Sequence, residues 1–196
     1  MERGGGGVSI YFIADTHFGH HNIIRHCNRP FSSVEEMDET LIYNWNRAVK
    51  PTDTIYIMGD LFFRNTVPAQ EYLERLNGTK HLIIGNHDKD WMKKIDLSEY
   101  FASVERMAEI NDGVRKITLC HYPMMTWNGG GKSGYMIHGH CHNDRSTIYF
   151  PLLRSMPNLL NAGVDINKFC PVHFNALLKN NNKFKRCEKT DEAKSD

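Results

Sequence analysis

Five times along this chain a short apolar run stops abruptly and gives way to Asp, Asn or His, and that recurrence constrains the fold more than any bulk property. Val8 to Ala14 runs into Asp15-Thr16-His17, and Thr54 to Met58 into Gly59-Asp60. Leu82 to Ile84 runs into Gly85-Asn86-His87-Asp88, Val114 to Leu119 into Cys120-His121, and Tyr135 to Ile137 into His138-Gly139-His140-Cys141-His142. Such runs are short for a helix and suffice for a buried strand. A glycine at the break allows the chain to turn sharply. Asp15 and His17, like His140 and His142, alternate, so in extended chain each pair faces one side and can share a cation.

Helical patterns separate the first three runs. Ser33 and Glu36 form a capping box that opens a helix with Val34, Met37, Leu41, Trp45, Ala48 and Val49 on its apolar face, closed by Pro51. Its spacing assigns Met37 and Trp45 to packing. Pro68 begins a second helix with Tyr72, Leu73 and Leu76 inward, ended by Asn77-Gly78. Strand, helix, strand, helix, strand is the pattern of a sheet with parallel members, whose ligands collect beyond the strands' carboxyl ends. Trp91 to Tyr100 predicts a short helix and loop. Val104 to Ile110 and Val114 to Leu119 predict an antiparallel hairpin around Asn111-Asp112-Gly113. Asp144 to Pro157 reads as loop, Leu159 to Val164 as a last strand, and Pro171 to Leu178 as a final helix.

One domain over residues 8–179 is expected, between a glycine-rich flexible start at 1–7 and a polar tail at 180–196. Hydrophobic residues make up 40% and charged residues 24%, enough to build a core, and the net charge of +1 argues against an obligate polyanion binder. The five cysteines are odd in number and lack a C-x-x-C pair, which favours reduced thiols in a cytoplasmic protein over a disulfide framework. Cys120 and Cys141 alternate with the histidines and are assigned to packing. No apolar run is long enough for a membrane span. Asn128 to Ser133 imitates a phosphate loop, but Thr126 stands where a Walker motif needs glycine, so the segment is read as a mobile loop or lid.

Asp15, His17, Asp60, Asn86, His121, His140 and His142 are too many ligands for one cation. Two ions about 3.5 to 4 Å apart need a bridging carboxylate, and a hydroxide held between them is a nucleophile near neutral pH. Asp, His and Asn without thiolate suit Mn, Fe or Zn.

These motifs, in this order from Val8 to about Leu178, resemble the calcineurin-like metallophosphoesterase superfamily. The resemblance implies an α/β fold of mixed sheets, the four-layer αββα sandwich, with a binuclear centre. It implies one metal on Asp15, His17, Asp60 and His142, and another on Asp60, Asn86, His121 and His140, with Asp60 as the bridge. It further implies that His87 faces the substrate as hydrogen-bond or proton donor, and that Arg64 pairs with phosphate. Family members with a Gly-Asp-x-x-Asp-Arg motif use the second aspartate to orient that histidine, but Phe63 stands in its place here. Asp88 or another residue is left to hold the imidazole. His20, close behind the first motif, is expected to contact substrate. The expected activity is hydrolysis of a phosphate monoester or diester on a small phosphorylated substrate. A nuclease using Lys89, Lys93 and Lys94 is the rival enzyme, and a catalytically silent binding scaffold the rival of another class.

Overall fold

The computed structural model describes residues 8–63 and 67–186. Arg64 lies outside them. In chain order the elements are β1 (Ile10–Ile13), α1 (His21–His26), α2 (Val34–Ala48), β2 (Thr54–Ile57), α3 (Ala69–Leu73), β3 (Thr79–Ile83), α4 (Lys89–Met92), β4 (Ser103–Glu105), β5 (Met107–Asn111), β6 (Lys116–Cys120), β7 (Tyr135–His138), α5 (Phe150–Ser155), β8 (Leu159–Asn161) and α6 (Phe174–Lys185). Among the described residues no helix is long and apolar enough to cross a membrane.

The strands form two four-stranded sheets, β1-β2-β3-β4 and β5-β6-β7-β8. The first is parallel throughout, with Ile13 opposite Ile57 and Ile57 opposite Leu82, so the carboxyl ends of β1, β2 and β3 lie in line. In the second, β6, β7 and β8 are parallel and β5 is antiparallel to β6. Both faces of the first sheet are buried, which is why its strands read as near-continuous apolar runs. Tyr11, Ile13, Ile55, Ile57 and Leu82 face a core built with α2 and α3. The alternate residues Phe12, Ala14, Met58 and Ile83 meet Ile117, Leu119, Ile137 and Leu160 of the second sheet, with Phe174 and Leu177 of α6. Helices, sheet and facing sheet stack as the αββα expectation requires, with α6 along β8 and β1.

The Ser33 side chain caps α2 by accepting from the Glu36 amide at 3.1 Å, while the Glu36 carboxylate turns back to Ser32 rather than to Ser33. Trp45 is fully buried, and its indole N–H reaches the Asn77 carbonyl at 2.9 Å. Four expectations are corrected. The single strand expected from Val104 to Ile110 is divided at Arg106, because the chain there leaves the first sheet for the second. Within the expected loop 144–157 lies α5, which carries a proline in its first turn. The final helix starts at Phe174, not at Pro171, and runs to Lys185, beyond where the polar tail was expected to begin. Its polar end is held because the Asn181 side chain exchanges hydrogen bonds with the Asn161 backbone at 2.7 and 3.0 Å, and the Lys185 ammonium caps carbonyls after α5. Nor is 126–134 a lid: Asn128 donates to Glu109 of β5 at 2.9 Å, and the loop contributes nothing to the groove described below.

Candidate metal centre

All seven ligand-type residues converge at one edge of the sandwich. The ligand atoms of Asp15, His17 and His142 lie within 4.8 Å of one another, and so do those of Asp60, His121 and His140. The Asp60 carboxylate faces both groups, with Oδ2 at 3.7 Å from His17 Nε2 and 3.5 Å from His121 Nε2. Asn86 Oδ1 sits 2.9 Å from His121 Nε2 and 3.0 Å from His140 Nδ1, joining the second group. Asp15 accepts the His140 amide on both oxygens, at 3.0 and 2.9 Å. That contact ties the first loop to the last.

The backbone bends unusually to achieve this. Asp15, His17, Asp60, His140 and His142 all have positive φ, between 46° and 70°. Non-glycine residues held there typically cost about 1–3 kcal/mol each and persist where surrounding structure fixes them. The glycines beside them allow close packing. At Gly59, φ is +79°, and a Cβ there would stand 2.6 Å from the Gly85 backbone and 2.7 Å from His121 Nδ1. At Gly85 an added Cβ would meet the Asp60 amide at 2.6 Å.

Asp88 does not orient His87. Its buried carboxylate accepts from the Gly85 amide at 2.7 Å and from the Asp60 amide, the Leu61 amide and the Trp91 indole at 2.9 Å each. It clamps the loops that carry Asp60 and Asn86. The imidazole of His87 is exposed, its amide fixed on Asp60 Oδ1 at 2.8 Å. Phe63 meets that ring edge-on at 4.8 Å and stacks on His20 at 3.8 Å. Phe63 therefore forms an aromatic wall against both His87 and His20. His20 and His87 join His17, His140 and His142 at the floor of a groove of about 920 Å³, whose sides include His26, Cys27, Cys141 and Tyr149. Cys141 is thus buried yet part of the groove wall, not of packing alone.

Electrostatics within the cluster is strongly coupled. Burial works to raise Asp60, but the hydrogen bond and charge of His121 outweigh it and hold the carboxyl at about 2. Burial weakens His121 as a base, yet Asp60 and Asp15 lift it to about 9. His142 is lifted against burial to about 11 by Asp15 and Asp165. Burial pushes Asp15 up to about 6 despite His142 and His121. Burial, with His142 beside it, drives His17 well below its ordinary value, so its imidazole is neutral. Neither ring nitrogen of His17 has a hydrogen-bond partner although the residue is only 2% exposed. A buried imidazole with no partner carries a desolvation penalty that a cation bound to its lone pair removes. The residues fit a metal.

Two residues outside the expected set support the centre. Asp165 accepts from His142 Nδ1 at 2.8 Å, and Arg29 donates to Asp165 from Nε at 2.8 Å. Arg29 also reaches the carbonyls of Thr16 at 2.8 Å and Asp15 at 2.7 Å, and both side chains are buried. This pair links the first ligand loop to the last. In the grouping of Cys27, His142 and Asp165, the guanidinium already supplies positive charge to Asp165. Asp165 lies in a 3-10 turn, Val164–Ile166, beyond the end of β8, and in the sequence it directly follows the run from Leu159 to Val164 read as the last strand, so the same sequence signal marks it. Arg29 has no periodic or motif signal.

The calcineurin-like phosphoesterase family profile matches residues 8–182, nearly the whole described chain. The chain belongs to the calcineurin-like phosphoesterase family. Relatives include the uncharacterized protein MJ1445 of Methanocaldococcus jannaschii, 39% identical over 172 residues, covering 87% of this chain and 89% of that one. The gene 66 protein of Mycobacterium phage L5 is 28% identical over 162 residues, covering 69% and 78%. A protein of unknown function from Aquifex aeolicus, AQ665, has a crystal structure that superimposes with a TM-score of 0.68 at 30% identity, covering 88% of this chain and 99% of that one. Membership supports metal-dependent phosphoesterase chemistry as the general activity of this phosphoesterase chain.

Proposed function

We propose that this phosphoesterase works through two metal ions, one held by Asp15, His17, Asp60 and His142 and the other by Asp60, Asn86, His121 and His140. The observation that carries this is the Asp60 carboxylate facing His17 and His121 at 3.7 and 3.5 Å, one imidazole from each ligand group. The ions, when bound, supply an activated water and neutralise charge on the phosphoryl oxygens. Asp60 holds the two groups together, while the His87 amide fixes its second oxygen at 2.8 Å. Asp15 and the His140 amide keep the first and last loops in register. The exposed His87 ring, braced by Phe63, donates a hydrogen bond to the phosphoryl group or a proton to the departing oxygen.

Metal analysis and hydrolysis assays test this together. Purified protein reconstituted with Mn²⁺ should hold about two ions per chain and cleave aryl phosphate esters, since paired ions clamp both the attacking and the leaving oxygen. Fewer than one ion with no hydrolysis under Mn²⁺, Fe²⁺ or Zn²⁺ would sink the proposal.

A further inference from the structure

The groove extends well beyond what a phosphoryl group fills. Its volume of about 920 Å³ lies toward the upper end of the roughly 300–1,000 Å³ that enclose a drug-sized ligand. One wall is the segment 143–149, where Arg145 and Tyr149 are exposed. His26 and Asn28 also line the groove, and the Asn143 side chain donates to the Cys27 carbonyl between them at 2.9 Å.

Arg145 is held in a particular way. Its guanidinium lies 4.6 Å over the ring of Phe184, which in turn packs edge-on against Phe150 at 5.6 Å. The adjacent Asp144 carboxylate is engaged by the Ser146 amide and hydroxyl at 2.7 Å each. No ion pair involves Arg145 among the described residues. A guanidinium resting over a ring and outside any ion pair has N–H groups to offer, and the edge of a guanidinium matches a phosphate bidentately. Tyr149 adds an aromatic face, 43% exposed, on the same wall. An aromatic platform beside an arginine fork, next to a centre that acts on phosphate esters, is the chemistry of a chain that alternates bases with phosphates.

We propose that the 143–149 wall is a subsite for a short single-stranded oligonucleotide, with Tyr149 stacking a base and Arg145 forking onto the phosphate next to the scissile one. This rests on the phosphoesterase reading above and assigns its substrate class. In the reaction one water is consumed: its oxygen bonds to phosphorus, the ester P–O bond breaks, and the departing nucleoside oxygen takes up a proton. A small monoester would leave this wall unused.

The test compares a thymidine trinucleotide, the dinucleotide and methyl 4-nitrophenyl phosphate on wild type, Arg145→Ala, Arg145→Lys and Tyr149→Ala, under Mn²⁺. Arg145→Ala should raise KM for the trinucleotide about tenfold relative to KM for the methyl ester, with Arg145→Lys recovering only part of it. Tyr149→Ala should raise KM for both nucleotides by about the same factor relative to the methyl ester. Equal effects on all three substrates, or none, would overturn the subsite, as would a wild type that cleaves the methyl ester and neither nucleotide. Anisotropy of a fluorescein-labelled trinucleotide separates the two levels. If no ester is cleaved yet binding weakens in both alanine variants, the subsite stands and the phosphoesterase proposal falls; binding that neither variant weakens removes the subsite.

Discussion

His87 and Asp88 are neighbours with separate jobs, and substitutions should separate them. His87→Ala removes an exposed ring and no candidate ligand, so bound metal should stay at the wild-type level while kcat falls by about 10² to 10⁴, the usual contribution of a general acid. Metal loss in that variant, read by elemental analysis, would place His87 among the ligands. Asp88→Ala should do the reverse of a surgical change. It strands three amides and an indole N–H that now share one buried carboxylate, and a lower urea midpoint should accompany weakened metal retention. Asp165→Ala acts on the first ligand group, both at His142 and through the buried Arg29 guanidinium that it leaves without its carboxylate. Without the hydrogen bond at His142 Nδ1, affinity for the ion near Asp15 and His17 should fall about 10- to 100-fold, as measured by competition with a chelating dye. Equal weakening of both ions would contradict the assignment.

At the scale of elements, α2 anchors the loop behind the first motif. Asp38 of α2 accepts the Gly19 amide at 3.0 Å and the Tyr72 hydroxyl at 2.8 Å, and burial, against those bonds, pushes its carboxyl up to about 6. Between roughly pH 4 and 6 the folded chain therefore keeps a proton that the unfolded chain has lost. Stability from this group is present at low pH and declines as pH rises through about 6. Asp38→Asn keeps a carbonyl acceptor and cannot ionise, so urea unfolding of wild type and variant at pH 4.5 and 7 should show a steeper decline in the wild type. The elements that position the centre were legible because β1, β2 and β3 are buried on both faces and end in ligand residues. The division of 103–111 between two sheets was not, since nothing local to Arg106 distinguishes a strand that continues from one that changes partners. Helix α1 was missed for a related reason: His21 to His26 is short, with one buried residue, so it has little apolar periodicity. Of the site, the ligands followed from strand ends. Arg29 and the clamp role of Asp88 did not, because hydrogen bonds across 13 to 136 residues leave no trace in spacing.

For the whole molecule, the centre is assembled from both sheets. Asp15, His17, Asp60 and Asn86 follow strands of the first sheet, while His121, His140 and His142 follow strands of the second. Mn²⁺ in excess should raise the melting temperature, and a chelator should reverse it, because an ion that binds only the folded chain stabilises it in proportion to the logarithm of its concentration over its Kd. An unchanged melting point at saturating metal would argue against binding at this edge. The arrangement has a further consequence for how the protein could be watched as it folds. The first sheet is complete by Glu105 and the second begins at Met107, so each half of the chain carries only part of every proposed ligand group. A coordination spectrum, such as that of Co²⁺, would then appear only when the halves dock, making the ion a reporter of assembly and the two halves natural fragments for a complementation assay.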